Sequence, residues 1–177
     1  MNRYGELIAA DTVRFQRLLP GDLDTVWRYL VDGELRRKWL AGGDTEERVG
    51  GHVDLHFQNS ALSSLPDDPP PPKYADMPDR MSYHGVVTAC EPKTLLRHTW
   101  LDSVSENSEV TYELEQRVDG VLLTLTHRRL SDEMLTAAMG GWHAHLDILA
   151  DVLQGREPKP FWRTHTALEA EYNARID

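Results

Sequence analysis

The sequence predicts an α+β domain: an antiparallel sheet packed on one long C-terminal α-helix. Three observations lead there. From Asp132 to Gln154, the apolar residues Leu135, Met139, Trp142, Leu146, Leu149 and Leu153 recur in steps of four and three, which places them on one stripe of a helix. Between Tyr83 and His127 lie four segments of alternating polarity joined by short turns. Ahead of them, one strand is followed by two short helical segments.

The first strand is predicted at Thr12 to Leu18, where Val13, Phe15 and Arg17 alternate with Arg14 and Gln16. Pro20-Gly21 ends it, and Asp22 is placed to cap a helix running to about Val31 through Val26, Trp27 and Leu30. A second short helix is expected over Glu34 to Leu40, carrying Leu35 and Trp39, with Gly42-Gly43 as its exit. In HVDLHF, Val53, Leu55 and Phe57 alternate with His52, Asp54 and His56, the period of a half-buried strand.

Residues from about 58 to 82 have neither period. They contain Pro66, Pro69 to Pro72 and Pro78, a composition that resists pairing into a sheet. An insertion this long is expected to be a lid, a binding loop or a partly disordered segment. Four strands follow at Tyr83 to Glu91, Thr94 to Leu101, Ser108 to Val118 and Val121 to His127. Pro92-Lys93 and Asp119-Gly120 turn the chain, so the last three strands are expected to be antiparallel neighbours. Ser131 or Asp132 can cap the long helix and Gly155 can end it. A C-terminal extension from about 155 to 177 carries an amphipathic segment, Thr164 to Ile176. Trp162, Leu168, Tyr172 and Ile176 can pack back on the domain or across a two-fold axis in a homodimer.

The 177 residues suit one domain with a proper core. A formal charge of −10 repels phosphate backbones, so nucleic acid and anionic membrane surfaces are not expected as partners. No apolar run reaches the roughly 20 residues that span a bilayer, and no apolar leader opens the chain. The lone Cys90 cannot form an internal disulfide. These features make a cytoplasmic location the expectation.

The segments VRFQRLLPGDLDTVWRYLVDGELRRKWL, VGGHVDLHF, GVVTACEPKTLLRHTW, EVTYELEQRVDGVLLTLTHRRL and GGWHAHLDILADVL resemble, in order and spacing, the SRPBCC (START-like) superfamily. Within it they are similar to the group named after the activator of the Hsp90 ATPase homologue. The resemblance covers most of residues 12 to 153 and implies the helix-grip fold, a curved antiparallel sheet wrapped around the long C-terminal helix. The insertion after Phe57 and the tail after Gly155 depart from the minimal pattern. Because this fold hosts carriers, cyclases and co-chaperone domains alike, it does not choose among functions.

A sheet wrapped on a helix encloses a space that is either a filled core or a pocket. Strand parity turns Leu55 and Phe57, His98 and Trp100, Tyr112 and Leu114, and Leu125 and His127 toward it, and the helix adds Met139 and Trp142. Trp39 is expected near the open rim, capping a ligand or closing the core. Such a lining suits a small hydrophobic or aromatic molecule held by one or two hydrogen bonds, with no cofactor.

Other constellations are weaker. His52, Asp54 and His56 have metal-ligand side chains, but on a flat strand they stand about 7 Å apart on the solvent face, and no metal is predicted. His143 and His145 point about 200° apart on the helix, so they cannot chelate together; His143, beside the apolar stripe, can reach a cavity mouth, but a surface position is the first expectation. Glu113 and Glu115 read as solvated charges, and Cys90 beside Glu91 as a poor nucleophile. No catalytic motif is present, so no catalytic residue is named and binding without catalysis is the first expectation. An aromatase/cyclase- or dehydratase-like enzyme using His98, Tyr112 or His127 is the second, and a co-chaperone-like interaction module the third.

Overall fold

A computed structural model describes residues 3–100 and 107–176. Among these, seven strands form one antiparallel sheet in the order β1-β2-β7-β6-β5-β4-β3: β1 Glu6–Ala9, β2 Thr12–Leu19, β3 His52–Phe57, β4 Met81–Glu91, β5 Leu95–Trp100, β6 Ser108–Arg117 and β7 Gly120–Arg128. The helices are α1 Leu23–Val31, α2 Gly33–Arg36, α3 Leu135–Leu153 and α4 Phe161–Ile176. The helix-grip fold is thus the fold of this chain. The short β1, hydrogen-bonded to β2, has no counterpart in the sequence reading: its four residues are all exposed, so no alternation marks them. Leu101, the expected end of β5, lies outside the described residues.

Hairpins set the register. Val13 faces His127 across β2 and β7, His127 faces Val110, and Val110 faces His98. Residues of one parity therefore form continuous rows on the inner face, including Phe15, Leu125, Tyr112 and Leu96. A register shift between Val87 and Ala89 interrupts the pairing of β4 with β5, and Phe57 at the end of β3 stands 6.3 Å from His145 on α3.

Helix α3 is buried on more than its stripe. Leu135, Met139, Trp142, Leu146 and Leu149 face the sheet side as the spacing predicts, but Ala144, His143, His145 and Ile148 are buried too. The reason is α4, which folds back along α3 and covers its other side, burying Trp162, Leu168 and Tyr172 within the same chain. Leu146 and Leu149 are fully inaccessible, and each contributes roughly 1.5–3 kcal/mol by leaving water. Gly140 permits this approach: a Cβ there would lie 3.2–3.3 Å from backbone and Cβ atoms of Glu169 on α4. The rod opens with one 3₁₀ turn, Asp132–Met134, and ends at Gly155, whose φ of +66° is the left-handed conformation glycine adopts without strain. Arg156 N–H then bonds back to the Asp151 carbonyl.

Asp22 caps α1 by accepting from the Thr25 N–H at 2.8 Å. The second helix is shorter than its sequence suggests. Asp32 caps it at Glu34 and Leu35, and regular turns stop at Arg36, because the Arg36 side chain is drawn inward to hold the following loop.

Candidate functional site

A cavity of about 150 Å³ lies between the sheet and α3. Phe57, Tyr83, Trp100 and His127 form its sheet wall. Ala137, Ala138, Gly141, Trp142 and His145 form its helix wall. The aromatic rings pack closely, Phe57 edge to face on Trp100 with centroids 5.8 Å apart and Trp100 tilted against Trp142 at 5.1 Å.

The third wall is made by the two segments that depart from the minimal fold. The proline-rich insertion brings Tyr74 and Met77, and α4 brings Phe161, Trp162 and His165. Polar contacts hold these segments to each other. Asp67 accepts the N–H groups of Trp162 at 2.8 Å and Arg163 at 3.0 Å, at the open N-terminus of α4. Asp68 pairs with the Arg163 guanidinium at 3.0 Å, which holds its carboxyl below the usual range. The Glu157 carboxylate accepts from the Ser64 N–H at 2.7 Å. Deeper in, Glu169 receives Lys73 Nζ at 2.7 Å and the Tyr74 hydroxyl at 2.9 Å. Burial and the neighbouring Glu169 charge push Tyr74 up to about 12, so it stays a neutral donor.

Imidazoles supply most of the polar points. Trp142 Nε1 lies 2.9 Å from His127 Nδ1. An indole N–H can only donate, so Nδ1 accepts and the ring proton sits on Nε2. That Nε2–H is buried and has no partner among the described residues. Burial lowers His127 to about 3, so the ring is neutral near pH 7. His145 has the opposite tautomer: Nδ1 lies 2.7 Å from the Trp39 carbonyl, which only accepts, so Nδ1 carries the proton and Nε2 the lone pair. Burial lowers it to about 4. His165 Nε2 donates to the Ala137 carbonyl at 3.2 Å, leaving a buried Nδ1 lone pair without a hydrogen bond, 4.0 Å from Glu169. Asn59, also on the cavity, has a buried Oδ1 with no partner among the described residues.

Of the residues the sequence nominates, Phe57, Trp100, His127 and Trp142 line the cavity. Leu55, Leu114, Leu125 and Met139 are packed in the core and do not reach it. His98 and Tyr112 stack on each other at 5.8 Å, also off the cavity; burial lowers His98 to about 4 and raises Tyr112. Trp39 is not at the rim. It is wholly buried, its indole donates to the Tyr29 carbonyl, and its part in the site is the backbone oxygen that orients His145. His143 is not at the surface either. It is fully buried, 2.8 Å from the Tyr172 hydroxyl, because α4 and the N-terminal segment cover it.

Among the lining residues the sequence reading missed are His145, His165, Tyr74 and Phe161. His145 is off the apolar stripe, and the others belong to segments whose docking no periodicity encodes. Elsewhere, Asp54 is paired with His84 at 2.7 Å, and no group of three metal-ligand side chains comes together among the described residues. Burial and the Glu47 charge raise Cys90.

A family model described as activator of Hsp90 ATPase homolog 1-like protein matches residues 73–154, from the insertion to the end of α3. The protein encoded by gene BPP1335 of Bordetella parapertussis is 38% identical over 97% of this chain and 90% of its own, with a TM-score of 0.79. The chain belongs to the activator of Hsp90 ATPase homolog 1-like group of the SRPBCC superfamily. At lower identity the fold persists. CalU16 of Micromonospora echinospora is 23% identical over 92% of this chain and 85% of its own, with a TM-score of 0.62. A conserved protein of unknown function, EF2215 of Enterococcus faecalis, is 18% identical over 97% and 88%, with a TM-score of 0.67. A comparison with curated proteins returned no match. An SRPBCC domain with an internal cavity is a ligand-binding type of domain. No helix among the described residues is long and apolar enough to cross a membrane.

Proposed function

We propose that this SRPBCC domain binds a small hydrophobic molecule, about one aromatic ring in size, in the cavity between sheet and α3. The observation that carries the reading is the cavity itself: an aromatic- and methionine-walled space between the sheet and α3. A void of ~150 Å³ with apolar walls is large enough for benzene. Catalysis is not part of the proposal. His98 and Tyr112 are packed away from the cavity, and His127 is held too far below neutral pH to trade protons efficiently there.

The test is a thermal-shift and calorimetric screen of one-ring aromatics, with Gly141→Leu as control. A Cβ on Gly141 meets only His165 Cδ2, at 4.0 Å, so a leucine there has room to grow into the void. Removing a mid-helix glycine favours folding by ~0.5–1 kcal/mol, so the variant is expected to keep its stability while losing ligand. The reading is overturned if no aromatic binds the wild type, or if Gly141→Leu binds as well as the wild type does.

A further inference from the structure

A surface groove of about 710 Å³ adjoins the cavity, and Leu40, Phe57 and Met81 border both spaces. Phe57 and Met81 are cross-strand partners at the ends of β3 and β4, and Leu40 follows α2. The side chains that close the cavity on this side thus also wall the groove. Leu40 and Phe57 are buried, whereas Met81 is half-buried. A methionine side chain, unbranched and with three rotatable bonds, yields to a neighbour more readily than leucine or a ring does.

The two spaces differ in charge. No Asp, Glu, Lys or Arg lines the cavity. The groove has Arg37, Lys38 and Arg80 against Glu34, a local excess of positive charge on a chain whose formal charge is −10. Glu34 is already paired with Arg37 at 3.0 Å, and Asp79, beside Arg80 in the chain, accepts from Gln58 at 3.2 Å. Lys38 and Arg80 are exposed and have no ion-pair partner among the described residues. An anion inside the cavity would lose its hydration and meet no counter-charge; in the groove it keeps water and meets two unpaired cations.

Resting on the proposed binding function, we infer that the ligand is an arylalkanoic acid: its ring in the cavity, a short chain passing beside Met81, and its carboxylate in the groove against Lys38 and Arg80. The net field of the chain repels acids. An acid that binds more tightly than its neutral amide therefore reports the groove and not the overall charge.

Calorimetry at neutral pH and low ionic strength compares ethylbenzene with phenylacetate, phenylpropanoate and phenylbutanoate, and with the amide of each acid. At the best chain length the acid is expected to bind about 5-fold more tightly than its amide, an advantage that shrinks at high salt. Replacing Lys38→Gln and Arg80→Gln together should bring the ratio toward one. Replacing Arg14→Gln and Arg117→Gln, which removes the same charge from positions off the groove, should preserve it. None of these four side chains is buried, and circular dichroism checks that each double variant folds. Should the groove variant misfold, salt decides: an advantage of the wild type for acids that holds or grows at high salt counts against the groove. Gly141→Leu, which fills the cavity, should weaken the acid along with ethylbenzene. The inference is overturned, with ethylbenzene binding keeping the cavity reading intact, by any of three results: no acid outbinding its amide, an advantage that survives loss of Lys38 and Arg80, or acid binding untouched by Gly141→Leu. Failure of every compound, ethylbenzene included, would overturn both.

Discussion

Arg36 carries more of the architecture than any other charged residue near the site. It is buried, yet its guanidinium donates to the carbonyls of Leu30, Ala41, Gly42, Gly43 and Asp54 and to the Thr45 hydroxyl. It thereby ties the loop after α2 to β3. Its planar fork matches this array of acceptors, and lysine's single ammonium cannot. Burial lowers its pKa, but a guanidinium stays charged. Arg36→Met is expected to destabilise the fold by ~3–5 kcal/mol in urea unfolding, and Arg36→Lys by nearly as much. An exposed neighbour such as Arg37, paired only with Glu34 in the same short helix, should cost less than ~1 kcal/mol when replaced by alanine. A wild-type-like unfolding midpoint for Arg36→Lys would refute this account. In GELRRKW the two arginines are indistinguishable; only the carbonyls that converge on Arg36 separate them.

Among the elements, the insertion and α4 act as one unit, a cap assembled from distant parts of the chain. Each places polar side chains on the other. Asp67 closes two N–H groups of α4, a capping interaction that typically contributes ~1 kcal/mol. Asp67→Ala is expected to lower stability by about that amount. It should also speed proteolytic nicking between Leu62 and Arg80 several-fold, since local opening then needs less energy. Unchanged cleavage rates would mean that the apolar contacts of Tyr74 with Trp162 and His165 hold the cap without it.

At the scale of the whole molecule, several histidines are buried neutral. His98 and His145 are lowered to about 4 and His127 to about 3, in each case mainly by burial. In the unfolded chain each takes a proton near pH 6.5. Between that pH and the folded values the unfolded state binds more protons, so stability rises with pH and is lost on acidification. From pH 7 to 5.5 each contributes a loss of ~1 kcal/mol, roughly 3–4 together. The midpoint of thermal unfolding should therefore fall steeply below pH 6.5, and His98→Phe should flatten the slope. A midpoint constant from pH 7.5 to 5.5 would contradict the buried neutral rings. Ligand affinity, in contrast, should change little over the same range, because the folded rings do not titrate within it.

The amino-acid pattern alone determined the alternation of β2 to β7, the stripe of α3, the Asp22 cap and the terminating Gly155. Each is encoded by neighbours two to four residues apart. It also placed Phe57, Trp100, His127 and Trp142 on the inner face, because strand and helix parity are local properties. Tertiary structure decided which inner-face residues border empty space and which pack, as with His127 against His98 or Trp142 against Met139. It also decided that Trp39 and His143 are buried, and that the proline-rich insertion and α4 meet over the cavity. Those outcomes depend on groups far apart in the chain, 106 residues for the His145–Trp39 bond and 140 for Arg3 and His143. A period of two or 3.6 carries no information at that separation, and whether a ring nitrogen is a donor or an acceptor exists only once its partner has arrived.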